Sequence, residues 1–243
     1  MLPDLSFSIL ETTVYTPSQG VYLLDQHLTR MRESARQLSE LYNVPCFSCA
    51  NVESEHVHSL IRAQIDHCDS NQKYRVRMLL SHTGQLSVQV TPEPSTTSNE
   101  PPVLVLDCQP TNTGSVFVRC KTTHRLVYTD AVQRIPAHYA QGTQVLLYNE
   151  QGMITEGNIA NVAVSMPDSQ TGQLALFTPP VAAGLLPGTM RQHLLDTGQI
   201  KEAPITVDQF KLAVHNHWPV MCMNSVRGLY AVTPVVCEDI VIN

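Results

Sequence analysis

The chain has 243 residues, 43% hydrophobic and 15% charged, with a formal net charge of −6. That apolar fraction is ample for one large or two modest packed domains and excludes a largely disordered chain. Only 15 Lys and Arg leave no basic footprint for duplex nucleic acid, and no apolar run approaches the roughly 20 residues that span a bilayer.

The first elements are strand-like Phe7 to Tyr15, a turn at Thr16-Pro-Ser-Gln-Gly20 and a short strand Val21 to Leu24. Leu28, Met31, Ala35, Leu38 and Leu41 then recur at helical spacing, predicting an amphipathic helix over Gln26 to Tyr42 with Asp25 as its N-cap. A second helix fits Val52 to His67, and a hairpin fits Tyr74 to Leu80 and Leu86 to Val90 around His82-Thr-Gly-Gln85. The Pro-rich stretch Thr91 to Pro102 cannot continue a helix or central strand. It marks a boundary, giving a small domain over 1–107 and a larger one over 108–243.

In the second part, strands are predicted at Val103 to Leu106 and Val116 to Cys120, then a helix over about Thr123 to Tyr139. A hairpin follows, Gln144 to Tyr148 and Met153 to Thr155 around Asn149-Glu-Gln-Gly152. Further strands fit Ile159 to Ser165, Leu174 to Phe177, Trp218 to Met223 and Val232 to Ile242; helices fit Thr189 to Asp196 and Val207 to Asn216, the latter capped by Thr206. Strands and helices mix without strict alternation, so the fold class is α+β. No GxGxxG or GxxxxGK[ST] run is present, which removes the usual nucleotide folds.

Seven cysteines are an odd number without framework spacing, and several lie in apolar runs. They read as reduced thiols in a cytoplasmic protein. The N-terminus, Met1 to Thr13, lacks the basic start of a secretory signal. A metal site from Cys46 and Cys49 with His56, His58, His67 or Cys68 would need a second paired motif, which is missing, so no metal is expected.

Four lysines are the whole set, and three sit beside turns or on polar faces. Lys121 ends the apolar run Val116-Phe-Val-Arg-Cys120. Desolvation there would disfavour its ammonium form, the condition for an amine that forms Schiff bases, although a snorkelling or paired lysine fits the same pattern. Glu156 is a lone carboxylate between two strands, equally readable as part of a turn. Gly184-Leu-Leu-Pro-Gly188-Thr-Met-Arg191 approaches a helix start, where backbone N–H groups can receive an anion. Asn224-Ser-Val-Arg-Gly228 offers a hydroxyl and a guanidinium in one loop.

In this order, Lys121-Thr-Thr-His-Arg125-Leu-Val-Tyr128, Thr155-Glu156-Gly-Asn-Ile-Ala-Asn161, Gly184 to Arg191 and Asn224 to Gly228 resemble the class IV aminotransferases, the fold-type IV pyridoxal-phosphate enzymes. His27-Leu-Thr-Arg30 is similar to the family's helix-borne His-x-x-Arg. The resemblance implies a small N-terminal α/β domain and a larger, mixed, β-barrel-like C-terminal domain. It implies pyridoxal 5'-phosphate bonded through its aldehyde to Lys121, which is also the proton shuttle. Glu156 would face the pyridine nitrogen. Arg30 would clamp the phosphate, with Gly188, the N–H groups of Thr189 and Met190, and Ser225 completing its cup, and Asn158 a further cofactor contact. Arg227 and Thr12 would meet the substrate.

Glu11-Thr-Thr-Val14 lacks the arginine that branched-chain aminotransferases carry in Glu-Gly-x-Arg, and Gly188-Thr-Met-Arg191 is closer to the lyase-type turn. The likeness is strongest to the aminodeoxychorismate lyase branch, especially lyase domains fused behind aminodeoxychorismate synthase; the leading Gly-Asp-Gly segment of free-standing enzymes is absent. The implied activity is 4-amino-4-deoxychorismate lyase, yielding 4-aminobenzoate and pyruvate for folate biosynthesis. The alternatives are an aminotransferase for branched-chain or D-amino acids and a catalytically silent cofactor binder. Expected associations are a homodimer and, as functional partner, aminodeoxychorismate synthase.

Overall fold

Strand β1 (Ile9–Thr16) shows how this chain hides polar groups in an apolar setting. It lies inside a four-stranded antiparallel sheet with β2 (Gly20–Val21), β3 (Tyr74–Leu80) and β4 (Leu86–Pro92), in the order β2-β1-β3-β4. Along β3 burial alternates: Tyr74, Val76, Met78 and Leu80 are buried while Arg75 and Arg77 are exposed. Opposite-strand partners share a face, so the register Glu11 to Met78 and Thr13 to Val76 puts Glu11 and Thr13 on that buried face. The computed structural model describes residues 5–43, 47–65, 72–94, 100–139 and 142–236.

Helix α1 (Leu24–Tyr42) buries Leu24, Leu28, Met31, Ala35 and Leu38, a stripe spaced by four and three residues, while α2 (Ser54–Ile65) buries Val57 and Ile61. Asp25 is not the N-cap. Leu23, in left-handed backbone (φ 51), precedes the helix with no side-chain cap, and Asp25 sits in the first turn, where its charge favours the helix dipole.

The expected strand at Val116 to Cys120 is instead a 3₁₀ turn, Val116–Val118. Lys121 therefore does not end a strand. Its segment runs antiparallel beside the start of β1: Leu10 N–H donates to Lys121 O (2.9 Å), Ile9 bridges Thr122, and Thr123 N–H donates to Ser8 O (2.9 Å). The ladder takes residues 121–123 out of the following helix. That helix, α3 (Leu126–Gln133), is shorter than predicted and ends ahead of Pro136, which cannot supply a helical donor.

The chain divides into two units, one of Met1–Thr97 with Arg119–Arg125 and one of Ser98–Val118 with Leu126–Asn243. Against an expected boundary between 107 and 108, residues 98–107 go with the second unit and Lys121 with the first.

In the second unit, β5 (Val103–Leu106), β6 (Gln144–Tyr148), β7 (Ile154–Gly157) and β13 (Thr233–Val235) form one sheet, in the order β13-β5-β6-β7. The other sheet is β10-β9-β8-β11-β12, from β8 (Asn161–Pro167), β9 (Leu174–Thr178), β10 (Lys201–Glu202), β11 (Val220–Asn224) and β12 (Gly228–Ala231). Neither sheet closes on itself among the described residues, so the β-barrel-like expectation becomes two open sheets. One core joins them: Leu104, Leu146 and Ile154 from the first, Val162, Val164, Val220 and Cys222 from the second, with Phe210 and Ala213 of α5 (Val207–His215). Cys222 is a fully buried thiol there, its pKa pushed up by burial to about 12, so it behaves as a small hydrophobe. Helix α4 is Thr189–Asp196. The part of Val232 to Ile242 beyond 236, and Cys46, His67 and Cys68 of the weighed metal site, lie outside the described residues. Among those described, no group of three or more His, Cys, Asp or Glu could hold a metal ion.

Candidate active site

Predicted site residues fall into two clusters, one in each unit. In the first unit, Glu11 is fully buried on β1 and faces α1. A carboxylate so placed must be paired, because an isolated buried charge is prohibitively costly. Arg30 meets it as a fork, Nε to Oε1 at 2.9 Å and Nη2 to Oε2 at 2.5 Å, and His27 Nδ1 lies 2.6 Å from Oε2. Positions 27 and 30 are neighbours on one helix face, which is how α1 presents both groups to one carboxylate. Burial alone would raise the Glu11 pKa, but the Arg30 charge and the hydrogen bonds from His27 and Arg30 outweigh it and bring it from 4.5 to about 2. His27 is pulled below its ordinary value, first by burial, against the opposing pull of Glu11, with the Arg30 and Lys121 charges adding to the fall. The ring is then neutral at neutral pH. Its Nδ1 must carry the proton, since an ionised carboxylate can only accept.

Lys121 is half-buried in this unit, its backbone held to β1 at Leu10, one residue from Glu11. Thr12 is half-buried on β1, paired with Arg77 across the sheet.

In the second unit, Glu156 on β7 is buried and accepts three hydrogen bonds: Tyr128 Oη (2.8 Å) and Leu186 N–H (3.1 Å) to Oε1, and Asn161 Nδ2 (3.1 Å) to Oε2. Asn161 Nδ2 also donates to Leu186 O (2.9 Å). Donors from a helix, a strand and a loop fix the plane of one carboxylate. Two residues beyond Leu186, Gly188 is the N-cap of α4, and the Thr189 and Ser225 hydroxyls lie 2.7 Å apart, both residues buried. The first helical bond of α4 closes at Gln192 N–H to Gly188 O (2.9 Å), so the preceding amides sit ahead of the helical ladder. Met190, the other expected phosphate contact, is buried in the same first turn.

Asn158 is engaged elsewhere: its N–H donates to Val145 O (3.0 Å) and its Oδ1 accepts from Val145 N–H (3.1 Å), bracing the turn between β7 and β8 against β6. Arg227 is exposed, with its guanidinium 5.4 Å from the Tyr230 ring centroid.

Sequence reasoning singled out neither Glu11, Tyr128 nor Asn161 as a site residue. The available signals were a lone acid in an apolar strand, a tyrosine seven residues after Lys121, and an asparagine five residues after Glu156 at the head of an apolar run.

These donors suit pyridoxal phosphate. A fixed buried carboxylate matches a protonated ring nitrogen, and paired hydroxyls at a helix start match a phosphate. The close packing of Gly188 supports the fit: a Cβ there would come within 1.9 Å of Asn161 Oδ1, so the turn admits no side chain between Asn161 and the helix start.

The family model for amino-transferase class IV matches residues 8–235. The chain belongs to that family. Among its class IV relatives is a Schizosaccharomyces pombe protein provisionally named aminodeoxychorismate lyase, 36% identical over 197 residues, covering 80% of this chain and 76% of that one. A Saccharomyces cerevisiae protein named aminodeoxychorismate lyase is 28% identical over 255 residues, covering 85% of this chain and 66% of that one. The fold is also that of a Mesorhizobium loti protein provisionally named an amino-acid aminotransferase: TM-score 0.76, 28% identity, 94% of this chain and 100% of the other.

Proposed function

We propose that this class IV enzyme is a pyridoxal-phosphate-dependent lyase that converts 4-amino-4-deoxychorismate to 4-aminobenzoate and pyruvate, a step toward folate. The observation that carries the reading is the likeness to the two yeast proteins of that name across most of the chain. Val14 supports it: it is apolar and buried on β1, where the branched-chain aminotransferases have an arginine for their acidic co-substrate.

Pyridoxal phosphate, when bound, supplies an aldehyde that condenses with amines and a protonated ring that draws electrons from the attached substrate. Glu156, oriented by its three donors, would hold the proton on the ring nitrogen. Arg30, Thr189, Ser225 and the α4 amides would bind the phosphate, and the Lys121 amine would anchor the aldehyde. Once released by the substrate amine, Lys121 Nζ would remove the proton from the substrate carbon bearing nitrogen. The enolpyruvyl oxygen would depart with the C–O bond electrons and the enol would take up the proton that Lys121 removed, giving pyruvate and the aromatic ring, so no atom is gained or lost overall. Arg227 and Thr12 would meet the substrate's carboxylates. We further propose a homodimer in the cytoplasm, supplied by aminodeoxychorismate synthase. No described helix is long and apolar enough to cross a membrane.

Supplying purified protein with chorismate, glutamine and a separate synthase should yield 4-aminobenzoate. A protein that binds the cofactor yet gives no product, and whose absorbance changes on adding a single amino acid alone, is an aminotransferase instead.

A further inference from the structure

We infer that Asn161 is a positioning residue that fixes the spacing between Glu156 and the Gly188 turn, so that both can engage one rigid ligand at once. The inference rests on the proposed use of Glu156 for a ring nitrogen and of the α4 start for a phosphate.

Three observations carry it. Asn161 Nδ2 spans two acceptors, Glu156 Oε2 at 3.1 Å and Leu186 O at 2.9 Å. Leu186 returns the link, its N–H reaching Glu156 Oε1 at 3.1 Å, so Glu156, Asn161 and Leu186 close a bracket of three bonds. The third is steric. Gly188 has φ −66 and ψ 135, a backbone open to any residue, yet a Cβ there would stand 1.9 Å from Asn161 Oδ1. The side chain at 161 thus excludes a side chain at 188. One end of the carboxamide holds the carboxylate and the other is packed on the helix start.

A rigid heterocycle with a basic nitrogen and a phosphate on one ring gains from such a bracket, because two anchors held at the right span need no ordering when it binds. Each anchor alone gains nothing from it. Asn161 should therefore matter for the two-ended ligand and little for either half.

The test measures binding to the full-length apo protein of three probes: pyridoxal 5'-phosphate, pyridoxal and inorganic phosphate. Asn161→Ala should weaken pyridoxal 5'-phosphate about 10- to 100-fold through loss of the fixed span, with pyridoxal and phosphate changed by less than about 3-fold. Gly188→Ala should weaken the same probe by at least about 10-fold. In Asn161→Ala, Gly188→Ala should add less than about 2-fold, because the clashing carboxamide is gone and the next contact, Arg191 Cβ at 3.5 Å, is ordinary. Equal losses for all three probes, independent losses that multiply in the double variant, or an unchanged pyridoxal 5'-phosphate affinity in Asn161→Ala would each overturn the inference. If Asn161→Ala does not fold, Asn161→Asp decides: it keeps the volume but sets a carboxylate against Glu156, and should selectively lose the two-ended ligand. A wild-type protein that fails to bind pyridoxal 5'-phosphate at all overturns the cofactor reading itself, a result separate from any variant's.

Discussion

His27 Nδ1 and Glu11 Oε2 lie 2.6 Å apart in the interior of the first unit, a neutral ring donating to an ionised carboxylate. Arg30 closes the other side of that carboxylate, so a single buried acid sets both the tautomer of the histidine and the direction of the arginine fork. The two bonds fix the plane of the Arg30 guanidinium on Glu11.

Replacing Glu11 by Gln tests this pairing through stability. The folded pKa is lowered from 4.5 to about 2, so the contribution is complete above pH 4.5 and is lost as pH falls toward 2. About 2.5 pH units correspond to about 3 kcal/mol. Glu11→Gln should cost about 3 kcal/mol at pH 7, and the gap to wild type should narrow below pH 4.5 and close as pH nears about 2 in denaturant titrations. His27 adds a second slope of the same sign. Its folded value lies below 6.5, so stability falls as pH drops below 6.5. His27→Gln should remove that slope.

The three donors to Glu156 are separable. Tyr128→Phe removes the 2.8 Å hydroxyl bond and keeps the ring in its buried place. A hydrogen bond to a charged group contributes about 1.5–3 kcal/mol, so kcat should fall roughly 10- to 100-fold. KM should change little if the tyrosine acts only through Glu156. A change in KM with unaltered kcat would argue against that role.

Thr206 and Gln209 form a reciprocal capping box at the start of α5, Thr206 Oγ1 accepting from Gln209 N–H at 3.1 Å and Gln209 Oε1 from Thr206 N–H at 2.8 Å. Thr206→Ala should cost about 1 kcal/mol and lower Tm by about 2–4 °C with activity intact. A calorimetric scan checks this.

Where one physical rule governed a segment, the sequence revealed its structure. The helical spacing of Leu28, Met31, Ala35 and Leu38 and the turn residues between Gln144 and Ile154 defined α1 and the β6–β7 hairpin, since burial of a stripe and turn chemistry are local properties; Leu41, expected on the same stripe, is exposed, and Leu24, expected in the preceding strand, opens the helix. Thr206 was legible for the same reason. Val116 to Cys120 was misread because an apolar β-branched run suits a partly buried 3₁₀ turn as well as a strand, and which forms depends on ladder partners distant in sequence. Lys121, Arg30, Glu156 and Ser225 were singled out as candidates through motif order. Glu11, Tyr128 and Asn161 were not, because their roles come from tertiary pairing: β1 register puts Glu11 against α1, and α3 carries Tyr128 to β7.

Under the proposed function, the Lys121 amine bonds covalently to the cofactor. Purified protein incubated with pyridoxal 5'-phosphate, reduced with borohydride and digested should show the pyridoxyl-phosphate mass on the peptide containing Lys121. Lys121→Ala should show none there and should lose the bound cofactor's absorbance. A label on Lys73, Lys201 or Lys211 instead, or an unlabelled wild-type protein, would contradict the account.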